Sequence, residues 1–215
     1  MRPLLLALAA VPLLAGCGSS ASPAARLSPG AAPTALPSSL PVATPVRRPN
    51  ASMTSAGMDL PTGPLAFGTL VSDVRPAVIA ALGPPDEQGP VDPLTSECSG
   101  QGLSILGYGD GALRLYFDTS ARDAFTGWVL AGEAADDSVP TASALVDGAP
   151  FSFGPGTTVA ALQQGLGEAL TLTELDEGGP FLSYVDEAGL ITGFLDAIEP
   201  DGSVGVLQGG GGCDA

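Results

Sequence analysis

The sequence contains no lysine and no histidine; all seven of its basic residues are arginine. Without an amine side chain there is no Schiff base, no pyridoxal chemistry and no phosphate-loop lysine. Without an imidazole there is no Ser-His-Asp or Cys-His couple and no His-ligated metal. Seven cations face 23 carboxylates over 215 residues, for a net charge of -16. So few cations to displace phosphate counterions argue against a nucleic-acid partner. Cysteine is also scarce, with three residues. Glycine and proline, by contrast, are abundant at 30 and 21 residues, while mean hydropathy is positive at +0.32. That combination predicts a folded part joined to a compositionally biased segment.

The first residues read MRPLLLALAAVPLLAGC. Arg2 supplies a positive start, and Leu4 to Leu14 is an apolar run too short to span a bilayer core of about 30 Å. Leu14-Ala15-Gly16-Cys17 resembles the lipobox of bacterial lipoproteins. The resemblance implies a signal peptide over 1–16, a diacylglycerol on the Cys17 thiol, cleavage before it and palmitate-type acylation. Two acyl chains give a stable anchor where one would not. The expected location is the cell membrane, on its extracytoplasmic face, with the membrane itself a partner through the lipid.

Residues 17–58 read as a lipid-anchored, disordered linker. From Gly18 the segment is mostly Ser, Ala, Pro, Thr and Gly, with Arg26, Arg47 and Arg48 and no acid. Such a composition buries too little apolar surface to offset its ordering entropy. At up to ~3.1 Å per residue it holds the domain at most ~120 Å off the membrane. Asn50-Ala51-Ser52 matches a glycosylation sequon, read as chance beside a lipobox. All 23 acids lie from Asp59 to Asp214, opposed there only by Arg75, Arg114 and Arg122. The globular part, 59–215, therefore carries -20 and is repelled by the anionic surface that attracts its basic tether.

In an exported protein the other two cysteines, Cys98 and Cys213, read as one disulfide. It would close 116 residues, worth roughly 4–5 kcal/mol in the chain-entropy account. A reactive thiol is the alternative, with no Lys or His to lower its pKa.

Two related stretches organise the globular part: repeat one over about 64–132 and repeat two over about 150–210. Pro64-Leu65-Ala66-Phe67-Gly68 recurs as Pro150-Phe151-Ser152-Phe153-Gly154. A short helix follows each. Ser72 can cap the first, with Val74, Val78 and Leu82 on one face and Pro76 weakening its start. Thr157 or Thr158 caps the second, with Val159, Leu162 and Leu166 as its stripe. Strands are predicted at 102–108, 112–117, 125–132, 169–174, 181–185, 189–197 and 203–208. Tyr116-Phe117-Asp118 matches Tyr184-Val185-Asp186, and Thr126-Gly127-Trp128 matches Thr192-Gly193-Phe194. The fold class is α+β: two tandem repeats, each a short helix packed on an antiparallel three- to four-stranded sheet. Gly68-Thr69, Val74 and Leu82-Gly83-Pro84 resemble the tandem helix-plus-sheet repeats of β-lactamase inhibitor protein and the small outer-membrane assembly lipoproteins. The resemblance implies a non-catalytic binding scaffold.

Strand alternation places Leu113, Leu115 and Phe117 on one face and Arg114 and Tyr116 on the other. With helices over the Leu113 face, the opposite face is expected to display Arg114, Tyr116, Trp128, Tyr184 and Phe194. Aromatics with an arginine are the types that anchor interfaces; the alternative is that they form the core. Asp86-Glu87, Asp136-Asp137, Asp176-Glu177 and Asp186-Glu187 could offer oxygens to calcium, but none follows the calcium-loop pattern, and acids favour turns anyway. No metal site, catalytic residue or cofactor is assigned. The first functional reading is a membrane-anchored binding module for a protein or cell-envelope component. The second is an accessory in envelope assembly or structure, and the third a carboxylate-based hydrolase.

Overall fold

The structure, a computed structural model, describes residues 51–91, 102–120, 122–132 and 139–211. These residues are mostly β, with two short helices and two sheets. The chain enters through β1 (Ser52–Thr54), β2 (Gly57–Leu60) and β3 (Gly63–Ala66), followed by helix α1 (Val71–Leu82). A meander follows: β4 (Glu87–Pro90), β5 (Leu103–Tyr108), β6 (Leu113–Asp118) and β7 (Ala124–Ala131). Next come β8 (Thr141–Val146), β9 (Ala149–Phe153), helix α2 (Val159–Leu166) and a 3-10 turn at Gly167–Ala169. The second meander is β10 (Leu170–Leu175), β11 (Gly179–Val185), β12 (Leu190–Leu195) and β13 (Val204–Gly210).

The two meanders share one eight-stranded sheet in the order β10-β11-β12-β13-β7-β6-β5-β4. They join antiparallel along β7 and β13, where Val129 lies opposite Gln208. The remaining strands form a second sheet, β3-β2-β1-β8-β9, in which β1 runs parallel to β8. One apolar core binds both sheets and both helices. The larger sheet contributes Leu113, Leu115, Phe117, Trp128, Tyr184 and Leu207; the smaller, Met53, Met58 and Phe153; the helices, Val74, Val78, Val159, Leu162 and Leu166. The Trp128 Nε1–H donates to the Thr54 carbonyl at 2.9 Å and so ties one sheet to the other.

The seven strands and two helices expected from periodicity are present within one to three residues at most ends. The smaller sheet was not expected, and it corrects the linker boundary. Met53 and Met58, both inside the segment read as linker, pair across the β1–β2 hairpin and are fully buried. Their strands are three and four residues long, too short to give a periodic signal. What holds them is the long-range pairing of Ser52 with Thr141 and Met53 with Ala142.

Helix α1 also starts differently from expectation. Leu70, not Ser72, occupies the cap position, and no side chain caps it. The backbone substitutes: Val71 N–H donates to the Asp123 carbonyl at 2.8 Å. Pro76 lies inside this helix and removes one of its hydrogen-bond donors. In α2 the Thr158 hydroxyl does cap, accepting from the Ala161 N–H at 3.3 Å.

The same backbone links recur at the two helices. Gly68 N–H donates to the Phe125 carbonyl and Gly156 N–H to the Val204 carbonyl, both at 2.7 Å. Val71 N–H bonds Asp123 and Val159 N–H bonds Gly202, both at 2.8 Å. Each meander shifts register once, at Tyr116/Phe117 against β7 and at Phe194/Leu195 against β13. These links place Gly68 opposite Gly156 in the comparison, not opposite Gly154. Likewise Tyr116 sits on the third strand of its meander and Tyr184 on the second of the other, so the sequence match between them is displaced by one strand.

Candidate functional site

The expected display of five residues divides between the two faces of the eight-stranded sheet. Register is the reason. Leu115 pairs with Trp128, and Leu113 with Leu130, so Trp128 shares the face of Leu113 and Leu115. Residues opposite each other on paired strands project the same way. Trp128 is 0% exposed and Tyr184, opposite Ile191, is 1% exposed. Both belong to the core, and the exposed platform containing them is corrected accordingly. Arg114, Tyr116 and Phe194 do lie on the outer face, but Tyr116 is buried there at 8% exposure under its neighbours, so its expected display is corrected too. The register shift beside Tyr116 places an extra residue, Thr126, in β7, which breaks the simple alternation that had put Thr126 and Trp128 together.

The outer face is built from both meanders. On β11 and β12, Phe181 pairs with Phe194 in an edge-to-face contact, ring centroids 5.6 Å apart. On the far side of the Ser183–Thr192 pair, Val185 pairs with Leu190. Phe194, Leu190 and Val185 are 41%, 45% and 60% exposed. The polar neighbours Ser183, Thr192 and Gln208 are uncharged. On the other meander Tyr116 packs with Ile105, Leu103, Val91 and Val129 in a small cluster separate from the main core. Arg114 reaches across the side-chain-free Gly107 to Glu87, Nε to Oε2 at 3.8 Å. A Cβ on Gly107 would lie 3.0 Å from that of Glu87. Both charges are about half exposed, so the pair orients the arginine more than it stabilises the fold. Phe181, Leu190, Val185 and Ile105 were not singled out from sequence. Alternation along β11, with Phe181, Ser183 and Val185 on one side, was the available signal.

A concavity of about 380 Å³ lies between the outer side of the smaller sheet and the β11–β12 turn. Ser52, Thr54, Ser55, Asp59, Ser143 and Asp186 are among its lining residues. Buried Ser55 donates its hydroxyl to Asp186 Oδ1 at 2.7 Å, and the N–H groups of Ala188 and Gly189 donate to the same oxygen at 2.9 Å. Burial alone would raise the Asp186 carboxyl. The bonds from Ser55, Ala188, Gly189 and Tyr184 together outweigh it and leave the pKa below the ordinary aspartate value. The Tyr184 phenol is raised, first by burial and then by the adjacent Asp186. A serine held by a carboxylate whose pKa is low has no strong base to activate it, so the arrangement fastens the turn rather than equipping a nucleophile.

The acidic pairs likewise serve turns. Asp86 accepts the Gly109 N–H at 2.7 Å, and Asp186 organises its own turn. Asp176-Glu177 occupies the β10–β11 turn. Among the described residues no three Asp, Glu, His or Cys side chains converge, and no helix is long and apolar enough to cross a membrane. Asp136-Asp137, Cys17, Cys98 and Cys213 lie outside the described residues. No family model, curated protein or solved structure matches the chain.

Proposed function

We propose that this chain is a membrane-anchored extracytoplasmic lipoprotein that binds a protein or cell-envelope partner and performs no chemistry itself. The observation that carries the reading is the outer face of the eight-stranded sheet. It leaves Phe194 exposed beside Phe181 and, across the uncharged Ser183–Thr192 pair, leaves Leu190 and Val185 exposed. Large exposed apolar groups gathered on one sheet face among uncharged polar ones mark interaction surfaces. The anchor is the acylated Cys17 of the lipobox-like Leu14-Ala15-Gly16-Cys17.

Under this reading the globular part is a duplicated helix-plus-meander unit, supported by the matched backbone links at the two helices and the matched register shifts. The duplicated units meet along β7 and β13, so a single continuous sheet becomes available to a partner. A Cys98–Cys213 disulfide is compatible with the topology. β4 and β13 run in the same direction, which brings Val91, Gly102 and Gly211 to one end of the sheet. β5 and β13 are three strand spacings apart, roughly 14 Å. Four residues, 99–101 and 212, separate the cysteines from Gly102 and Gly211, and the six Cα steps this makes reach that far at ~3.3 Å each.

The test uses the full-length chain in its host. Labelled palmitate is incorporated by the wild type and not by Cys17→Ala. A photo-crosslinking residue at position 194 gives a discrete adduct that the same residue at Leu145, on the outer side of the other sheet, does not. Equal adducts from both positions, or none from either, would refute the binding face.

A further inference from the structure

Among the described residues four strands form the edges of the two sheets: β3 and β9 in the smaller, β4 and β10 in the larger. An edge strand offers a row of unpaired N–H and C=O groups, and proteins commonly block it with proline. Pro64 stands in β3, Pro150 in β9 and Pro90 in β4. β10 has none. It reads Leu-Thr-Leu-Thr-Glu-Leu over six residues, in register with β11 along its whole length and without a bulge. Among the described residues nothing pairs with its outer side. Thr171, Thr173, Glu174 and Leu175 are exposed, while Leu170 and Leu172 pack against the core. The strand is therefore fixed from behind and open along its edge.

We propose that β10 is a strand-addition site for an extended peptide with basic side chains flanking an apolar and threonine-rich centre. The proposal stands on the sheet's edge and does not require the sheet face invoked above. Main-chain bonds along β10 would supply affinity, and the residues beside it the selectivity. Those residues are acidic at both ends: Glu168 before the strand, then Glu174, Asp176 and Glu177. Only Arg75, Arg114 and Arg122 oppose the 23 acids of the globular part, so a cationic segment is drawn to this edge and an anionic one repelled.

The same charges disfavour a second copy of the chain. Antiparallel neighbours directly opposite one another share a face, so a symmetric β10 pair must pivot on Leu172 or Thr173. The first pivot sets Glu174 against Leu170 of the other copy and brings the turn holding Glu168 toward the turn holding Asp176. The second sets Glu174 and Asp176 against Leu172 and Leu170. Each joins two strongly acidic bodies at their acidic ends.

A labelled probe, acetyl-Thr-Arg-Thr-Val-Thr-Val-Thr-Arg-amide, tests this by fluorescence anisotropy with the full-length protein. In antiparallel register its first arginine falls opposite Glu174 and its valines opposite Leu172 and Leu170, while its last arginine runs past the strand toward Glu168 in the 3-10 turn. Saturable binding is expected, weakened about tenfold by Glu174→Lys and unchanged by Phe194→Ala. Methylating one alternate set of probe amides should abolish binding and methylating the other should not, because only every second residue of an added strand bonds to its neighbour. Burial of Trp128 in each variant, read by its fluorescence, confirms folding. Four results would each overturn the proposal: no saturable binding, equal loss from both methylated sets, dependence on Phe194 but not Glu174, or sedimentation showing a dimer that Glu174→Lys modulates and the probe fails to dissociate.

Discussion

Two tyrosines at comparable places in the two meanders carry opposite expectations. Tyr108 ends β5 opposite Leu113, and Tyr184 lies near the end of β11 opposite Ile191. Both are buried, at 5% and 1% exposure. The Tyr184 phenol hydrogen-bonds the Asp186 carboxylate, whereas the buried Tyr108 hydroxyl has no partner among the described residues. A buried polar group without a partner costs ~1–3 kcal/mol, and a hydrogen bond to a charged group contributes ~1.5–3 kcal/mol. After subtraction for the small void left by the oxygen, Tyr108→Phe should raise stability by about 1 kcal/mol. Tyr184→Phe should lower it by about 1–2 kcal/mol. In a domain of this size each 1 kcal/mol moves Tm by ~2–4 °C. Urea titration is the assay, followed by the fluorescence of the single, fully buried Trp128. An independent readout is pH. Burial, only partly opposed by Arg75, pushes the Tyr108 phenol from 10.0 to about 12. Between those values the unfolded chain has released a proton that the native state keeps. Stability contributed by this group is thus complete below pH 10 and lost as pH rises toward 12. Tyr108→Phe should flatten that decline. Destabilisation by Tyr108→Phe of 1 kcal/mol or more, with the alkaline slope unchanged, would refute the reasoning.

Asp186→Asn should reduce the acid-side dependence of stability. The native carboxyl sits below its ordinary 3.8, so its contribution is present above that value and lost as pH falls through the lower, folded one; unfolding midpoints from pH 2 to 6 measure it. Asp196, similarly lowered by the Ser203 N–H and hydroxyl, should leave a residual slope in that variant. Gly209→Ala should destabilise by ~1–3 kcal/mol, because its Cβ would lie 2.5 Å from the Trp128 ring; the same urea titration reports it, with a red shift of Trp128 emission as the ring is displaced.

Local elements were largely legible because their signals are local. Val74 and Val78, one turn apart, define the buried side of α1, and the alternation of Leu113, Leu115 and Phe117 defines the inner side of β6. The helix start was misread because the cap of α1 is made by Asp123, some fifty residues away, and no nearby side chain announces it. The candidate site was half legible. Arg114 and Phe194 are displayed on the outer face; Tyr116 lies on that face but is buried, and Trp128 and Tyr184 are in the core. Alternation says which residues of one strand go together, but only cross-strand register says which face that set joins. A single inserted residue, Thr126, changes the phase within β7.

By itself the sequence determined the charge, the missing bases, the lipobox-like start, the two helices and all the meander strands but β4. These follow from composition and from periodicity over a few residues. Only the tertiary structure decided that Met53 and Met58 belong to the core, because β1 is held by β8, paired across nearly ninety residues. It also decided that the meanders share one sheet, which leaves β10 as an edge without proline. Whether a side chain is core or surface, and whether a strand is central or terminal, depends on what lies beside it, and the chain brings those neighbours together only on folding.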